Sequence, residues 1–331
     1  MKGRFLNPEY DITLIVPCFN VAPYLPACLE SIESQRDFDR TQVLLVDDGS
    51  ADGTPGLLSE FARRHPNARV LTQPNAGPGA ARNRALDEAE ARYLAFADGD
   101  DVLREDGLRS MLTCALESGA DMVVADFVNV PERPYGRWKR HFGKGDQLIS
   151  DITRYPELIF SGSVWNKLYS ARFVRDHGFR FADGRLFEDA WFSIPAMLSA
   201  GSIYLLDKPV YDYRKRAEGN SIMDSLRTNP ANYFDHLALN LHLLRLGDRY
   251  SGDIKRMLQR YAAFTYRGFL RGLRRAPDGI DHSALLPLIT EHYRLIPDDV
   301  LQEFAEHPGD DELQQAAKDG TLSGLLGARA N

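Results

Sequence analysis

Cysteine is scarce in this chain: Cys18, Cys28 and Cys114 are the only three in 331 residues, each in an apolar context and none at a metal-ligand spacing. That excludes a disulfide framework and a thiolate metal site, and makes a reduced, cytosolic compartment the expectation. Long apolar runs are missing too. No stretch approaches the roughly 20 apolar residues of a membrane span, and Met1 to Asp11 carries charges without an apolar core, so neither a spanning helix nor a signal peptide is expected. Positive charge is not in excess: 40 Lys and Arg face 47 Asp and Glu, a net charge of -7 that argues against a nucleic-acid partner. No internal repeat is apparent, and the length allows two domains.

What the chain does have is carboxylates gathered in clusters: Asp47-Asp48, Asp98-Gly99-Asp100-Asp101 and Glu188-Asp189. The segment from Ala91 to Asp101 is an apolar run ending abruptly in three carboxylates around a glycine, the pattern of a buried strand delivering ligands at its C-terminal edge. Asp98 and Asp100 would repel each other without something positive between them, and a hard cation such as Mg2+ or Mn2+, held with a diphosphate, takes oxygen ligands of this kind. The alternative is an acidic turn capping a helix that starts near Arg104.

Strand and helix patterns alternate through the first half. Ile12 to Pro17 reads as a strand followed by a helix with Leu25, Cys28, Leu29 and Ile32 on one face. Val43 to Val46 is a second strand, ending in Asp47-Asp48-Gly49-Ser50, and a helix to about Arg64 follows with Asp52 or Thr54 as N-cap and Pro55 in its first turn. Strands at 69–72, 93–97 and 121–125 and helices at 79–90 and 107–118 complete the series. This alternation predicts an α/β fold, a doubly wound and mostly parallel sheet that binds ligands beyond the C-terminal ends of its strands. From about residue 225 the pattern turns helical, at 232–246, 254–274, 283–294 and 298–306, so the expected division is a domain at 1–224 and a helical region at 225–331.

In order, Val16-Pro-Cys-Phe-Asn20, Val46-Asp-Asp-Gly-Ser50, Asn75-Ala-Gly77 with Ala81-Arg-Asn83, Asp98-Gly-Asp-Asp101, Trp165-Asn-Lys-Leu-Tyr169, Phe187-Glu-Asp189 and Tyr211-Asp-Tyr-Arg214 with Ser221-Ile222 together resemble the inverting family 2 nucleotide-sugar glycosyltransferases of type A fold. The resemblance implies an enzyme that moves a sugar from a UDP-type donor to a hydroxyl of a cell-surface glycan, a teichoic-acid-like polymer or a lipid-linked acceptor, with Mn2+ or Mg2+ as cofactor. It implies that Pro17, Phe19 and Asn20 line the nucleotide pocket and that Asp48 accepts from a uracil-like base, its neighbour Asp47 closing a turn. Arg82 and Asn83 would contact the nucleotide and sugar side of the donor, with an exposed helical face as the alternative. Asp98 would meet ribose or sugar hydroxyls near the metal, and Asp100 would ligate it directly. Asp189 would be the catalytic base with Glu188 beside it, although acidic residues also suit the first turn of any helix. Trp165, Asn166 and Lys167 would lie on the acceptor side, or the aromatics of that segment would be core residues.

The chain departs from the pattern in lacking a histidine between His177 and His236, where many relatives place a further metal ligand. A water or diphosphate oxygen, or the cations Arg214, Lys215 and Arg216, would then stand in. Residues 218–221 read as a lid over the donor, and the basic segment Arg133, Arg137, Lys139, Arg140, His141 and Lys144 as an insertion on the acceptor side. A sugar-phosphate nucleotidylyltransferase is the alternative enzyme, but Cys18-Phe19-Asn20-Val21 lacks its glycine-rich, basic phosphate loop. A sugar-binding module without catalysis is the other alternative. The C-terminal helices are expected to pack and contact acceptor, with dimerisation or docking to an anionic membrane as further options.

Overall fold

The computed structural model describes residues 9–134, 136–215, 230–250, 252–273, 282–304 and 310–322. The chain divides into two compact units, Met1–Arg216 and Ala217–Asn331. The sequence change near residue 225, the 218–221 segment, Ser221-Ile222 and Arg216 lie outside the described residues.

The first unit begins with β1 (Ile12–Cys18), α1 (Leu25–Glu33), β2 (Thr41–Asp47), α2 (Thr54–Arg64), β3 (Ala68–Thr72), α3 (Gly77–Asp87) and β4 (Tyr93–Phe96). It continues through β5 (Val102–Leu103), α4 (Gly107–Ser118), β6 (Met122–Val130), β7 (Gln147–Ile149), β8 (Lys167–Ser170), α5 (Ala171–His177), α6 (Glu188–Ser199) and β9 (Ile203–Arg214). The sheet order is β3-β2-β1-β4-β8-β6-β9-β5, with β7 on β9.

The first four strands pair in parallel, as uninterrupted apolar runs require: every residue of β2 is buried, and β1 is buried except at Pro17. Two interruptions break the parallel order. β8 runs antiparallel between β4 and β6, and β5 and β7 run antiparallel to β9. Pairing of β1 with β4 ends at Ile15 and Phe96; two residues on, Pro17 has no N–H to carry the ladder further.

The Leu25, Cys28, Leu29 and Ile32 face of α1 is buried, and α2 ends at Arg64. At its start Gly53 is the N-cap, while the Asp52 carboxylate accepts from the Thr54 N–H at 2.9 Å. In the basic insertion, Lys139 pairs with Asp126, and Arg140 and His141 both pair with Glu157.

The second unit contains α7 (Pro230–Gly247), α8 (Gly252–Leu273), α9 (His282–Arg294), α10 (Asp298–Gln302) and α11 (Asp310–Asp319). Its core joins Leu237, Leu241 and Leu244 of α7 to Leu285, Ile289 and Tyr293 of α9 and Val300 of α10. On α8, Arg256 pairs with Asp299 and Glu303, and Arg260 with Glu303, so these two arginines serve the unit's own ion pairs. Among the described residues no helix is long and apolar enough to cross a membrane.

Candidate functional site

The motif residues converge where the parallel strands end. After β1, Asn20 takes a left-handed conformation (φ 50°) and Phe19 is exposed. This turn is tied to the loop after β2: the Asn20 N–H donates to Ser50 Oγ at 3.1 Å, and the Ala51 N–H donates to Asn20 Oδ1 at 2.9 Å. Asp47 closes its own turn by accepting from the Ser50 N–H. Asp48 does something the sequence did not reveal. Its Oδ1 accepts from Gln73 Nε2 and the Ala76 N–H, and its Oδ2 from the Gly77 N–H at 2.8 Å, so this buried carboxylate clasps the loop that opens α3.

Arg82, one turn into α3, is the hub of the site. Its side chain is 3% exposed, yet three carboxylates from distant segments reach it: Asp98 and Glu188 at 2.7 Å, and Asp189 at 2.9 Å. Burial works against the guanidinium charge, and Asp189, Asp98 and Glu188 overcome it, holding its pKa above the ordinary arginine value. The Phe181 ring lies 5.3 Å below. Close approach is what lets α3 meet α6, because a Cβ on Gly79 would stand 2.6 Å from the Ala182 carbonyl and 3.3 Å from the Glu188 side chain.

Asn83 is a correction to the sequence expectation. Its amide donates to the Phe181 carbonyl and to Asp183, and its oxygen accepts from the Phe181 N–H. The side-chain amide thus pins residues 181–183 from a buried position and is not part of an exposed face.

After β4, Asp98, Asp100 and Asp101 each offer an oxygen within 4.8 Å of the others. The alternative of an acidic turn capping a helix near Arg104 does not hold, since β5 follows Asp101 and α4 starts only at Gly107. Asp101 Oδ1 accepts from the Arg214 N–H at 2.6 Å, and the Tyr211 hydroxyl hydrogen-bonds to the same carboxylate. Burial, then Asp100 and Asp98, push its pKa well above the carboxylate range. An all-oxygen set this crowded, with carboxylates that raise one another's pKa, fits a hard divalent cation.

Arg214 donates from Nε to the Asp100 carbonyl and from Nη2 to the carbonyls of Asp101 and, beyond the acidic turn, Tyr24. It therefore clamps the acidic turn. Tyr211, fully buried, accepts from the Asp98 N–H through its hydroxyl. A Cβ on Gly99 would stand 3.0 Å from the Cys18 sulfur, so the turn packs tightly against the end of β1.

Glu188 and Asp189 open α6, placed by Phe187 in a left-handed conformation (φ 62°). Asp189 Oδ2 accepts from the Val164 N–H at 3.3 Å. Burial lifts the Asp189 pKa to about 7 against the pull of Arg82, with Glu188 and Asp98 adding to the rise. A carboxylate so poised can take up a proton near neutrality.

The Trp165 segment is not an open acceptor surface. Trp165 stacks on Tyr211 and Tyr213, with centroids at 4.5 and 5.4 Å, and Asn166, Lys167 and Tyr169 are fully buried. Lys167 donates to Ser161 and Ser163 and to Asn166 Oδ1, and Asn166 donates to the Ala125 carbonyl. Direct contact of Asn166 and Lys167 with an acceptor is corrected on that ground. The structure thus gathers Pro17, Phe19, Asn20, Asp48, Arg82, Asp98, Asp100, Glu188 and Asp189 at strand ends and helix starts. Asp101 and Tyr211 stood in the sequence motifs without these roles, and Val164 was missed because a backbone N–H leaves no mark in the sequence.

This architecture is the type A glycosyltransferase fold. TarS of S. aureus, solved as residues 1–349 with UDP-GlcNAc, matches it with a TM-score of 0.77 over 96% of this chain and 89% of that one, at 22% identity. The model described as Glycosyl transferase family 2 covers residues 13–188, and the chain belongs to that family. Among curated relatives, the putative glycosyltransferase EpsH of Bacillus subtilis is 31% identical over 61% of this chain and 60% of its own length. The minor teichoic acid biosynthesis protein GgaB of the same organism is 28% identical over 89% of this chain, which spans 33% of that relative's length. A mannosyltransferase from Pyrobaculum calidifontis, in complex with GDP-Man and Mn2+, matches with a TM-score of 0.54 at 16% identity over 97% of this chain and 88% of that one.

Proposed function

We propose that the chain is an inverting, metal-dependent glycosyltransferase that moves a sugar from a UDP-type donor to a hydroxyl of a glycan, teichoic-acid-like polymer or lipid-linked acceptor, working in the cytoplasm and meeting any lipid-linked acceptor peripherally. The observation that carries it is one buried guanidinium, Arg82, bridging the acidic turn after β4 to the carboxylate pair at the start of α6. Support for the donor class comes from TarS, solved with UDP-GlcNAc, and for the acceptor class from GgaB, a minor teichoic acid biosynthesis protein. The donor and base chemistry is assigned to residues 1–224, which hold every residue placed in the site.

Pro17, Phe19 and Asn20 border the base, and Asp48, whose Oδ2 accepts from the Gly77 N–H, keeps acceptor capacity toward a uracil N3–H. Asp98 and Asp100, with Asp101 behind them, would hold Mg2+ or Mn2+. That ion, when bound, stabilises negative charge on the departing diphosphate. Asp189 takes the acceptor hydroxyl proton as the hydroxyl oxygen bonds to the anomeric carbon and the bond from that carbon to the diphosphate oxygen breaks. Arg82 keeps Asp98, Glu188 and Asp189 from repelling one another before substrate arrives.

The test is a thermal-shift panel of UDP, GDP and their sugars, each with Mn2+ and with EDTA, since a ligand that binds only the folded state raises its melting temperature. A rise confined to UDP ligands with Mn2+, and lost in Asp100→Ala, is the expected result. Equal shifts in EDTA would remove the metal, and none with any nucleotide would remove the donor site.

A further inference from the structure

Lys167 is a costly residue to place where it is. It opens β8 fully buried, and burial pulls its pKa down to about 7, with Asp189 pulling the other way. A buried ammonium has to be met by oxygens. Here Nζ has four: the Ser161 carbonyl at 2.9 Å, Ser161 Oγ at 3.3 Å, the Ser163 carbonyl at 2.5 Å and Asn166 Oδ1 at 2.9 Å. Three protons facing four acceptors leave none for a substrate.

All four oxygens belong to one short turn, residues 161–166, and the turn is fastened on two further sides. Asn166 ties it to β6 by donating to the Ala125 carbonyl at 2.7 Å. Ser193, four residues beyond Asp189 on α6, donates to the Gly162 carbonyl at 2.5 Å. A Cβ on Gly162 would stand 3.1 Å from that of Ala190, so the turn lies directly against the helix that carries the carboxylate pair. In its middle, Val164 points its N–H at Asp189 Oδ2.

We propose that Lys167 is a positioning residue for the base: by gathering residues 161–166 around its ammonium it holds the Val164 N–H on the Asp189 carboxylate. The inference rests on the role proposed above for Asp189. The charged and titratable groups around that carboxylate are Arg82 from α3, Asp98 from the turn after β4, Glu188 on its own helix, and Lys167 and Tyr169 from β8. Lys167 acts on Asp189 twice in the same direction, through its charge and through the peptide N–H it fixes, and both favour the ionised base.

The experiment compares wild type with Lys167→Met, Ser193→Ala and Asp189→Asn. It follows UDP release from UDP-N-acetylglucosamine with Mn2+ between pH 5.5 and 9, with UDP affinity measured by calorimetry. For Lys167→Met we expect kcat at pH 7 to fall about thirtyfold, less than the roughly hundredfold or more of a whole general-base contribution, while donor KM and UDP affinity hold within about threefold. The acid limb of the kcat profile should move to higher pH, so that the deficit narrows at pH 9. Ser193→Ala, which removes one hydrogen bond and keeps the fold, should show a smaller change with the same split. An unmoved acid limb in both variants, or UDP affinity lost along with kcat, overturns the inference; if Lys167→Met does not fold, the limb of Ser193→Ala decides. Wild-type turnover in Asp189→Asn overturns the base assignment itself and takes the inference with it, whereas a dead Asp189→Asn beside an unaffected Lys167→Met overturns the inference alone.

Discussion

Arg82 answers three carboxylates with one guanidinium, and its removal shows how sharply that matters. Arg82→Ala leaves Asp98, Glu188 and Asp189 facing one another in a partly buried space, and losing one partner of such a group costs about 3–5 kcal/mol. Urea denaturation at pH 7 should show that loss, and at pH 5 a smaller one, because Asp189, with its pKa raised to about 7, is then protonated. The same carboxyl sets a pH dependence. As the base it must be ionised, so the transfer rate should climb with pH through about 7. Its effect on stability runs the other way. Folding raises its pKa from 3.8 to about 7, so its contribution is fully present below pH 3.8 and is lost as pH rises through about 7. Asp189→Asn should therefore melt at or above the wild-type temperature at pH 8 in calorimetry, while losing at least about a hundredfold in transfer.

At the scale of elements, α3 shows packing overruling propensity. Alanine is favoured over glycine in a helix by about 1 kcal/mol, yet a Cβ at position 79 would meet a backbone carbonyl at 2.6 Å. Overpacking of that kind costs about 1–3 kcal/mol, so Gly79→Ala should lower the melting temperature. The first four strands and α1 to α4 were legible because parallel buried strands read as plain apolar runs between helix periods. β8 was not. A four-residue strand beginning with lysine, after Trp165-Asn166, reads as a polar patch, and only the oxygens closing over Nζ show it to be interior. Asp48 and Asn83 were legible as polar positions in the right place; their partners Gln73 and Phe181 carry no motif that announces them, and the Asn75-Ala-Gly77 motif does not show that its N–H groups turn to Asp48. The aromatics Trp165 and Tyr169 went to the core, where the bulk of a ring is best used.

For the whole molecule, a net charge of -7 opposes the approach of a dianionic donor. Screening should relieve that opposition, since charges separated by more than a Debye length of about 10 Å at 0.1 M salt scarcely interact. With saturating Mn2+, donor KM is expected to fall modestly, by less than about threefold, between 20 and 200 mM KCl. A rise would mean that local positive charge around the pocket outweighs the total. The order of motifs along the chain foretold which residues would meet, because each stands at a strand end or helix start. The joins between them, Arg82 above all, depend on side-chain reach and were invisible in sequence.

The position of β8 in the sheet bears on how the protein is made. β4 ends at Phe96, but its neighbour on the side away from β1 is not synthesised until Lys167–Ser170, and β6 waits for the same strand and for β9. A growing chain emerging from the ribosome therefore carries two strands with open hydrogen-bonding edges across some seventy residues of further synthesis. Fragments stopped before residue 167 would keep those edges bare and seek partners in one another, and the nascent protein would lean on chaperones for as long as that interval lasts.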